Sequence, residues 1–156
     1  MEKIEKIKQA KIREIIKVVL QDILLELHFN VSYLDEKLTF KLSIGDDGEI
    51  VAFNIEEKWL FLNDIKYDSF LVSYVTDRDA DLFRLLQDNI LNIKFGLEKT
   101  LDTNSCVIYY VKINTDRNEF LFFNNGDEGA YSFNSNIKDI LNNDIYGYEW
   151  SDKPQW

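Results

Sequence analysis

Several residue types are scarce in this chain of 156 residues, and each scarcity excludes a class of protein. A single cysteine, Cys106, cannot form an internal disulfide, so the sequence is not that of a secreted fold held together by disulfides. One histidine and one cysteine are too few to supply a zinc site, and no apolar run is long enough to span a membrane. We therefore expect a cytoplasmic protein without a metal or another cofactor.

Glycine and proline are also few, at six and one residues, and the chain contains no linker or low-complexity segment. A hydrophobic content of 46%, with 14% aromatic residues, is enough to bury one substantial core. We therefore expect residues 1–156 to form a single domain with an aromatic C-terminal tail. Tyr148 and Trp150 in this tail are candidate partner-binding residues, because aromatic side chains dominate the energetics of many interfaces.

Positive charge is the scarcer sign, since 18 basic residues against 28 acidic ones give a formal net charge of -10. Nucleic-acid binding relies on Lys and Arg to neutralise phosphates, so this charge argues against a nucleic-acid partner. A basic protein is the natural electrostatic counterpart, although an acidic composition also serves solubility alone. The acidic candidates for partner binding are Asp46, Asp47, Glu56, Glu57, Asp127 and Glu128.

The apolar pattern of the first half predicts a long helix followed by an antiparallel meander. Isoleucine, valine and leucine recur at helical spacing over residues 2–28, which places His28 at the C-terminal end of the helix, where an imidazole can face the helix dipole. Leu38, Phe40 and Leu42 alternate with polar residues and predict a strand over residues 38–44. Further strands are predicted at residues 49–55, 58–62 and 69–75.

The second half predicts two shorter helices and more strands. Thr76 and Asp79 form a capping-box pair that opens a middle helix, which we expect to end near residues 89–92. The period then changes to two, with strands at 93–98, 106–113 and 119–123, and a short helix ends at Leu141. The predicted fold is therefore α+β: an antiparallel sheet packed by a long N-terminal helix, a middle helix and a short C-terminal helix.

Two acidic patterns have possible metal chemistry. Asp47, Glu56 and Lys58 imitate the Asp…Glu-x-Lys set with which many nucleases hold a divalent ion and steady the attacking water. The acidic loops at residues 46–49 and 126–129 lack the ligand spacing of a calcium-binding EF-hand, which favours simple turns. The acidic surface would repel a nucleic-acid substrate, so a nuclease is the third of three hypotheses.

Two stretches carry a resemblance to a known family: "ILLELHFNVSYLDEKLTFKL" and "LFRLLQDNILNIKFGLEKTLDTNSCVIYYVKI". Over about residues 16–114 the chain resembles the type III secretion chaperone-like family, the Tir-chaperone group. Leu85, Leu86 and Asn89 match its Leu-Leu-x-x-Asn helix segment, and residues 95–97 match its glycine-containing strand. The resemblance implies a small acidic protein without catalysis, often a homodimer, whose sheet and grooves hold a partly unfolded client.

The leading hypothesis is accordingly a non-enzymatic, chaperone-like module that binds a protein client through its sheet and helix surfaces. The alternative is an immunity or inhibitor protein that neutralises a basic toxin, such as a nuclease, by complementary charge.

Overall fold

The first half of the chain forms a five-stranded antiparallel sheet. A computed structural model describes residues 1–45, 48–65, 69–99 and 107–155. After a short helix, α1 (Lys3–Ile7), four strands follow in a meander: β1 (Lys11–Leu20), β2 (Ile23–Tyr33), β3 (Glu36–Ile44) and β4 (Val51–Glu56). β5 (Leu71–Tyr74) returns to the free edge of β1, so the strand order of the first sheet is β5-β1-β2-β3-β4.

The second half forms another five-stranded antiparallel sheet. Its strands are β6 (Ile90–Glu98), β7 (Ile108–Thr115), β8 (Glu119–Asn124), β9 (Gly129–Phe133) and β10 (Tyr148–Ser151). Their order is β10-β6-β7-β8-β9. Helix α2 (Ala80–Phe83) precedes this sheet, and helix α3 (Ile137–Asn142) lies between β9 and β10. Within the described residues, no helix has the length and apolar character needed to cross a membrane.

The two sheets are joined along both sides and enclose one hydrophobic core. On one side Val51 of β4 pairs with Ile108 of β7, and this pairing connects the two five-stranded halves into one continuous ten-stranded sheet. On the other, the Ile90 N–H donates to the Ala10 carbonyl at 2.8 Å, and residues 10–12 thereby meet residues 87–90. Phenylalanine rings from both sheets pack in the space between: Phe29 with Phe40, Phe29 with Phe120, and Phe53 with Phe95. The fold is therefore held by ladders at its edges and by aromatic packing at its centre.

A buried carboxylate connects the segment before β6 to the turn between β7 and β8. Asp88 is fully buried and accepts hydrogen bonds from Thr115 Oγ1 at 2.7 Å, Arg117 Nε at 2.6 Å and Asn118 Nδ2 at 2.9 Å. A buried charge requires such partners, because removing it from water without them is costly. Three donors around one carboxylate fix the approach of the two segments.

The predicted long helix over residues 2–28 is wrong, and with it the α+β class, because the structure is mainly antiparallel sheet. Only α1, five residues long, is helical there, and β1 and β2 form a hairpin. Gln21 and Asp22 at its turn have φ of 49° and 68°, the positive values that two-residue hairpin turns require. His28 lies in the middle of β2 rather than at a helix end.

The error has a physical cause in the way β1 is covered. Ile15 and Ile16 are adjacent in the sequence, point to opposite faces and are both buried, so the apolar residues of β1 do not alternate. A strand that is buried on both faces loses the period of two, and the remaining spacing imitates a helix. The many β-branched residues favour a strand.

The predicted middle helix is also much shorter than expected. The Thr76 N–H donates to Asp79 Oδ2 at 2.9 Å, which is one of the two bonds of the predicted capping box. However, α2 ends at Phe83, and the chain turns through Gln87, whose φ is 72°, before β6 begins. The left-handed residue at this joint is therefore a glutamine and not an asparagine.

Several strand predictions are confirmed. The predicted ranges 38–44, 49–55 and 69–75 overlap β3, β4 and β5 to within two residues at each end, and Ile93, Phe95 and Leu97 are buried on the inner face of β6. The predicted strand at residues 58–62 is absent; this segment passes over the outer face of the first sheet instead. The sequence patterns also missed β9 and β10 as strands.

Candidate partner-binding cleft

A cleft of about 290 Å³ opens on the outer side of the second sheet, where β7 and β8 meet the connection from α3 to β10. We call it the acidic-aromatic cleft. Its walls combine tyrosines, carboxylates and amides: Glu49, Tyr109, Tyr110, Phe123, Asn124, Asn125, Ile140, Asn143, Asp144, Ile145 and Tyr146.

A glycine in β6 makes room for the tyrosines beside this cleft. A Cβ atom at Gly96 would lie 3.0 Å from Tyr110 Cβ and 3.2 Å from Tyr148 Cδ2, closer than side chains normally approach. Without that atom, the rings of Tyr110 and Tyr148 pack edge to face over the sheet, with their centroids 4.9 Å apart. Gly96 therefore shapes the site through its lack of a side chain.

Asp144 fixes the turn that carries the outer rim of the cleft. The Tyr110 hydroxyl donates to Asp144 Oδ1 at 2.6 Å, and the Gly147 N–H donates to Asp144 Oδ2 at 2.9 Å. Burial and the bond to Asp144 raise the pKa of Tyr110 above its ordinary value, so the hydroxyl remains a neutral donor. The turn holds Ile145 and Tyr146 outward, with 83% and 39% of their surfaces exposed.

Tyr146 of the rim stacks on Tyr109, and several carboxylates surround this tyrosine pair. Tyr109 and Tyr146 are stacked, with ring centroids 4.9 Å apart and an interplanar angle of 21°. Burial raises the pKa of Tyr109, and the carboxylates of Glu98, Glu49 and Asp144 raise it further. Aromatic faces surrounded by carboxylates attract guanidinium and ammonium groups. The arrangement is therefore suited to receive an arginine or lysine side chain.

The acidic turn between β8 and β9 stands next to this cleft. The Gly126 N–H donates to the Gly48 carbonyl at 3.1 Å, and Asn124 Nδ2 donates to the Ile50 carbonyl at 2.9 Å. Asn124 and the neighbouring Asn125 line the cleft, and the exposed Asp127 and Glu128 follow them in the same turn. This acidic turn therefore contacts Gly48, which is far from it in the sequence and next to Glu49 of the cleft.

The structure brings together only some of the predicted partner-binding residues. Tyr148, Asp127 and Glu128 lie beside the acidic-aromatic cleft, whereas Trp150 packs further along β10 under the ammonium of Lys112. Asp46 and Asp47 fall outside the described residues, as do Cys106 and Trp156.

Glu56 and Glu57 lie elsewhere, at the end of β4. Glu57 Oε1 is 3.7 Å from Lys3 Nζ, and Glu56 lines a separate cavity together with Lys58. Of the nuclease-like set, Asp47 is outside the described residues, so its distance from Glu56 and Lys58 is not part of the structure. Across the described ranges, no group of three His, Cys, Asp or Glu side chains is placed to hold a metal ion.

Sequence reasoning missed Tyr109 and Asp144 as members of the site. Tyr109 lies in the predicted strand over residues 106–113, which we did not consider as a binding surface, and Asp144 reads as an ordinary loop residue. The usable signal was the segment "NNDIYGYEW", in which an aspartate precedes three aromatic residues. Comparisons of the chain with protein-family models, curated proteins and solved structures give no significant match.

Proposed function

We propose that this protein is a non-enzymatic binding module that holds a basic segment of another protein at the acidic-aromatic cleft. The observation that carries the proposal is the stacked pair of Tyr109 and Tyr146 in a cleft that the carboxylates of Glu49 and Asp144 also line. A cationic side chain placed against this pair and close to a carboxylate gains both cation–π attraction and charge pairing. The net charge of -10 adds long-range attraction for a basic partner.

The exposed rim supports a protein rather than a small ligand as the occupant. Ile145 is largely exposed next to Tyr146, and apolar and aromatic side chains around a polar site are typical of interface centres. A basic segment of a partner would place a cation in the cleft and apolar groups over Ile145. The proposal rests on this chemistry and not on the resemblance to secretion chaperones.

The test is capture of partners from the native host with the immobilised protein, followed by calorimetry with the purified partner. We expect a basic partner whose affinity falls as salt concentration rises, because exposed charge pairs are screened. The double variant Glu49→Gln/Tyr146→Ala should bind at least about tenfold more weakly, which is the effect of losing one charged contact.

A matched control is Glu57→Gln/Leu71→Ala, which removes one exposed carboxylate and one exposed apolar side chain away from the cleft. It should bind like the wild type. A captured partner that is acidic, or that binds both double variants equally, would refute the proposal.

A narrower form of the same proposal is an immunity protein, in which the basic partner is a toxin. The observation that favours it is the acidic turn of Asp127 and Glu128, which contacts Gly48 next to Glu49 of the cleft, since toxin neutralisation by charge requires a concentrated negative surface. Expression of this protein together with a basic toxin from the same host should restore growth, and the cleft variant should not. Growth restored equally by the cleft variant would argue against this form.

A further inference from the structure

A second cavity lies on the outer face of the first sheet. Its volume is about 260 Å³, and it is lined by His28, Thr39, Lys41, Asn54, Glu56 and Lys58, with Leu60 at its edge. The strand register places these side chains on one face: His28 lies opposite Lys41, Lys41 opposite Asn54, and Thr39 opposite Glu56. We call it the His28 cavity.

The segment that walls this cavity is fixed to the sheet. Asn30 is fully buried and binds the backbone of Leu60 twice, donating from Nδ2 to its carbonyl at 2.8 Å and accepting from its N–H at 3.1 Å. Thr39 Oγ1 donates to the Lys58 carbonyl at 2.8 Å. Lys58 therefore projects from a held backbone, and the cavity is largely preformed, as small-molecule sites usually are.

His28, which lines the cavity, carries a polar atom that the described chain does not satisfy. The His28 side chain is 5% exposed, and its Nε2 lies 2.9 Å from Glu26 Oε2. A carboxylate only accepts hydrogen bonds, so Nε2 carries a hydrogen and donates it to Glu26. Nδ1 is buried without a hydrogen-bond partner in the described residues. Such buried atoms are rare in proteins.

The rim of the cavity carries charges of both signs. Glu56 and Lys58 both line it, and both residues are exposed; in the described ranges neither side chain forms an ion pair. Lys41 Nζ lies at 4.0 Å from Glu26 Oε1, which leaves its other hydrogens available. A purely anionic ligand would be repelled by Glu56, and a purely cationic ligand would be repelled by Lys41 and Lys58. A small ligand that carries both charges would pair with both sides.

We infer that the His28 cavity binds a small zwitterion of the α-amino acid class. The carboxylate of the ligand lies against Lys58 and Lys41, and its ammonium lies against Glu56. The volume is below the range of roughly 300–1,000 Å³ that is usual for drug-sized ligands, which favours a small side chain. This site is on the other sheet from the acidic-aromatic cleft, so it does not depend on the proposed protein partner.

The experiment is titration calorimetry of the full chain with glycine, L-alanine and L-serine, and with acetate and ethylamine as probes of a single charge. We expect at least one of the amino acids to bind at least about tenfold more tightly than either single-charge probe, because only the zwitterion makes both ion contacts. Glu56→Gln and Lys58→Met should each lower the affinity for that amino acid about tenfold. Glu57→Gln, an exposed neighbour outside the cavity, should leave it unchanged.

Two results would overturn the inference. Acetate that binds as tightly as the amino acids would define a simple anion site, and the loss of Glu56 would then strengthen binding. The absence of heat and of thermal stabilisation with all three amino acids at millimolar concentrations would show that the cavity binds no such ligand.

Discussion

Removal of the Asp88 carboxylate should be among the most damaging single changes to this fold. The Asp88→Ala variant leaves three donors, on Thr115, Arg117 and Asn118, without their acceptor. A hydrogen bond to a charged group contributes about 1.5–3 kcal/mol, and breaking a buried ion pair by removing one partner costs about 3–5 kcal/mol. The Arg117 side chain is 59% exposed, so water can hydrogen-bond to it in the variant. The expected cost is therefore near the lower end of the range for breaking a buried ion pair. We expect the Asp88→Ala variant to lose about 3 kcal/mol of its free energy of unfolding.

The measurement is urea unfolding followed by tryptophan fluorescence, with the midpoint shifted and the slope unchanged. Asp77→Ala removes an exposed aspartate near α2 and is the matched control, which should change the stability by less than about 0.5 kcal/mol. The Asp88→Asn variant should also be less stable than the wild type. Its side-chain NH2 group replaces a carboxylate oxygen, and this donor then faces the donors of neighbouring side chains. If Asp88→Ala costs no more than the control, the buried carboxylate does not hold the two segments together.

The remaining predictions concern the close packing at Gly96, the titration of Tyr110 and the hydrogen bonds from Asn30 to the Leu60 backbone. Gly96→Ala should lower the free energy of unfolding by about 1–3 kcal/mol, since its Cβ would press on Tyr110; a melting temperature equal to that of wild type would contradict this. Because burial raises the folded pKa of Tyr110 above its unfolded value near 10, the folded state retains a proton that the unfolded state releases. Stability should therefore fall as pH rises above about 10, and Tyr110→Phe should show a shallower fall in urea unfolding at pH 8 and 10.5. Asn30→Ala should free the Leu60 backbone and speed hydrogen exchange of its amide at least about tenfold, whereas unchanged exchange would show that Asn30 is not the clasp.

The predictable strands were those in which apolar and polar residues alternate along the sequence. Leu38, Phe40 and Leu42 alternate with polar residues, and β3 appears where that alternation predicts a strand, although two of those polar residues, Thr39 and Ser43, are buried as well. The pattern fails at β1, because Ile16 lies on the outer face and is nevertheless buried. The sequence of β1 carries no sign of what covers it, so a local reading favours a helix.

The candidate sites were less predictable than the strands, because each site is formed by segments that are far apart in the sequence. Asp127 and Glu128 are visible as an acidic turn, but the contact of this turn with Gly48 follows from the pairing of β8 with β9 and from the long-range approach of residues 48–50. The His28 cavity likewise requires the register of three strands and a clasp between residues 30 apart. Residue types suggest the chemistry, but only the strand register assembles it.

The edge of β1 has a consequence for how the chain folds. The hairpin of β1 with β2 closes over a two-residue turn, whereas the other edge of β1 is covered by Tyr74, Val75 and residues 87–90 from far along the sequence. Local pairings form faster than distant ones, so we expect the meander to form first, with its β1 edge temporarily open. Pulse-labelling hydrogen exchange should protect amides of β2 and β3 before those of Val75 and Ile90; simultaneous protection would contradict this order. An unpaired apolar strand edge can pair with strands of other molecules and cause aggregation. The refolding yield should therefore fall as protein concentration rises, whereas the native protein should not aggregate.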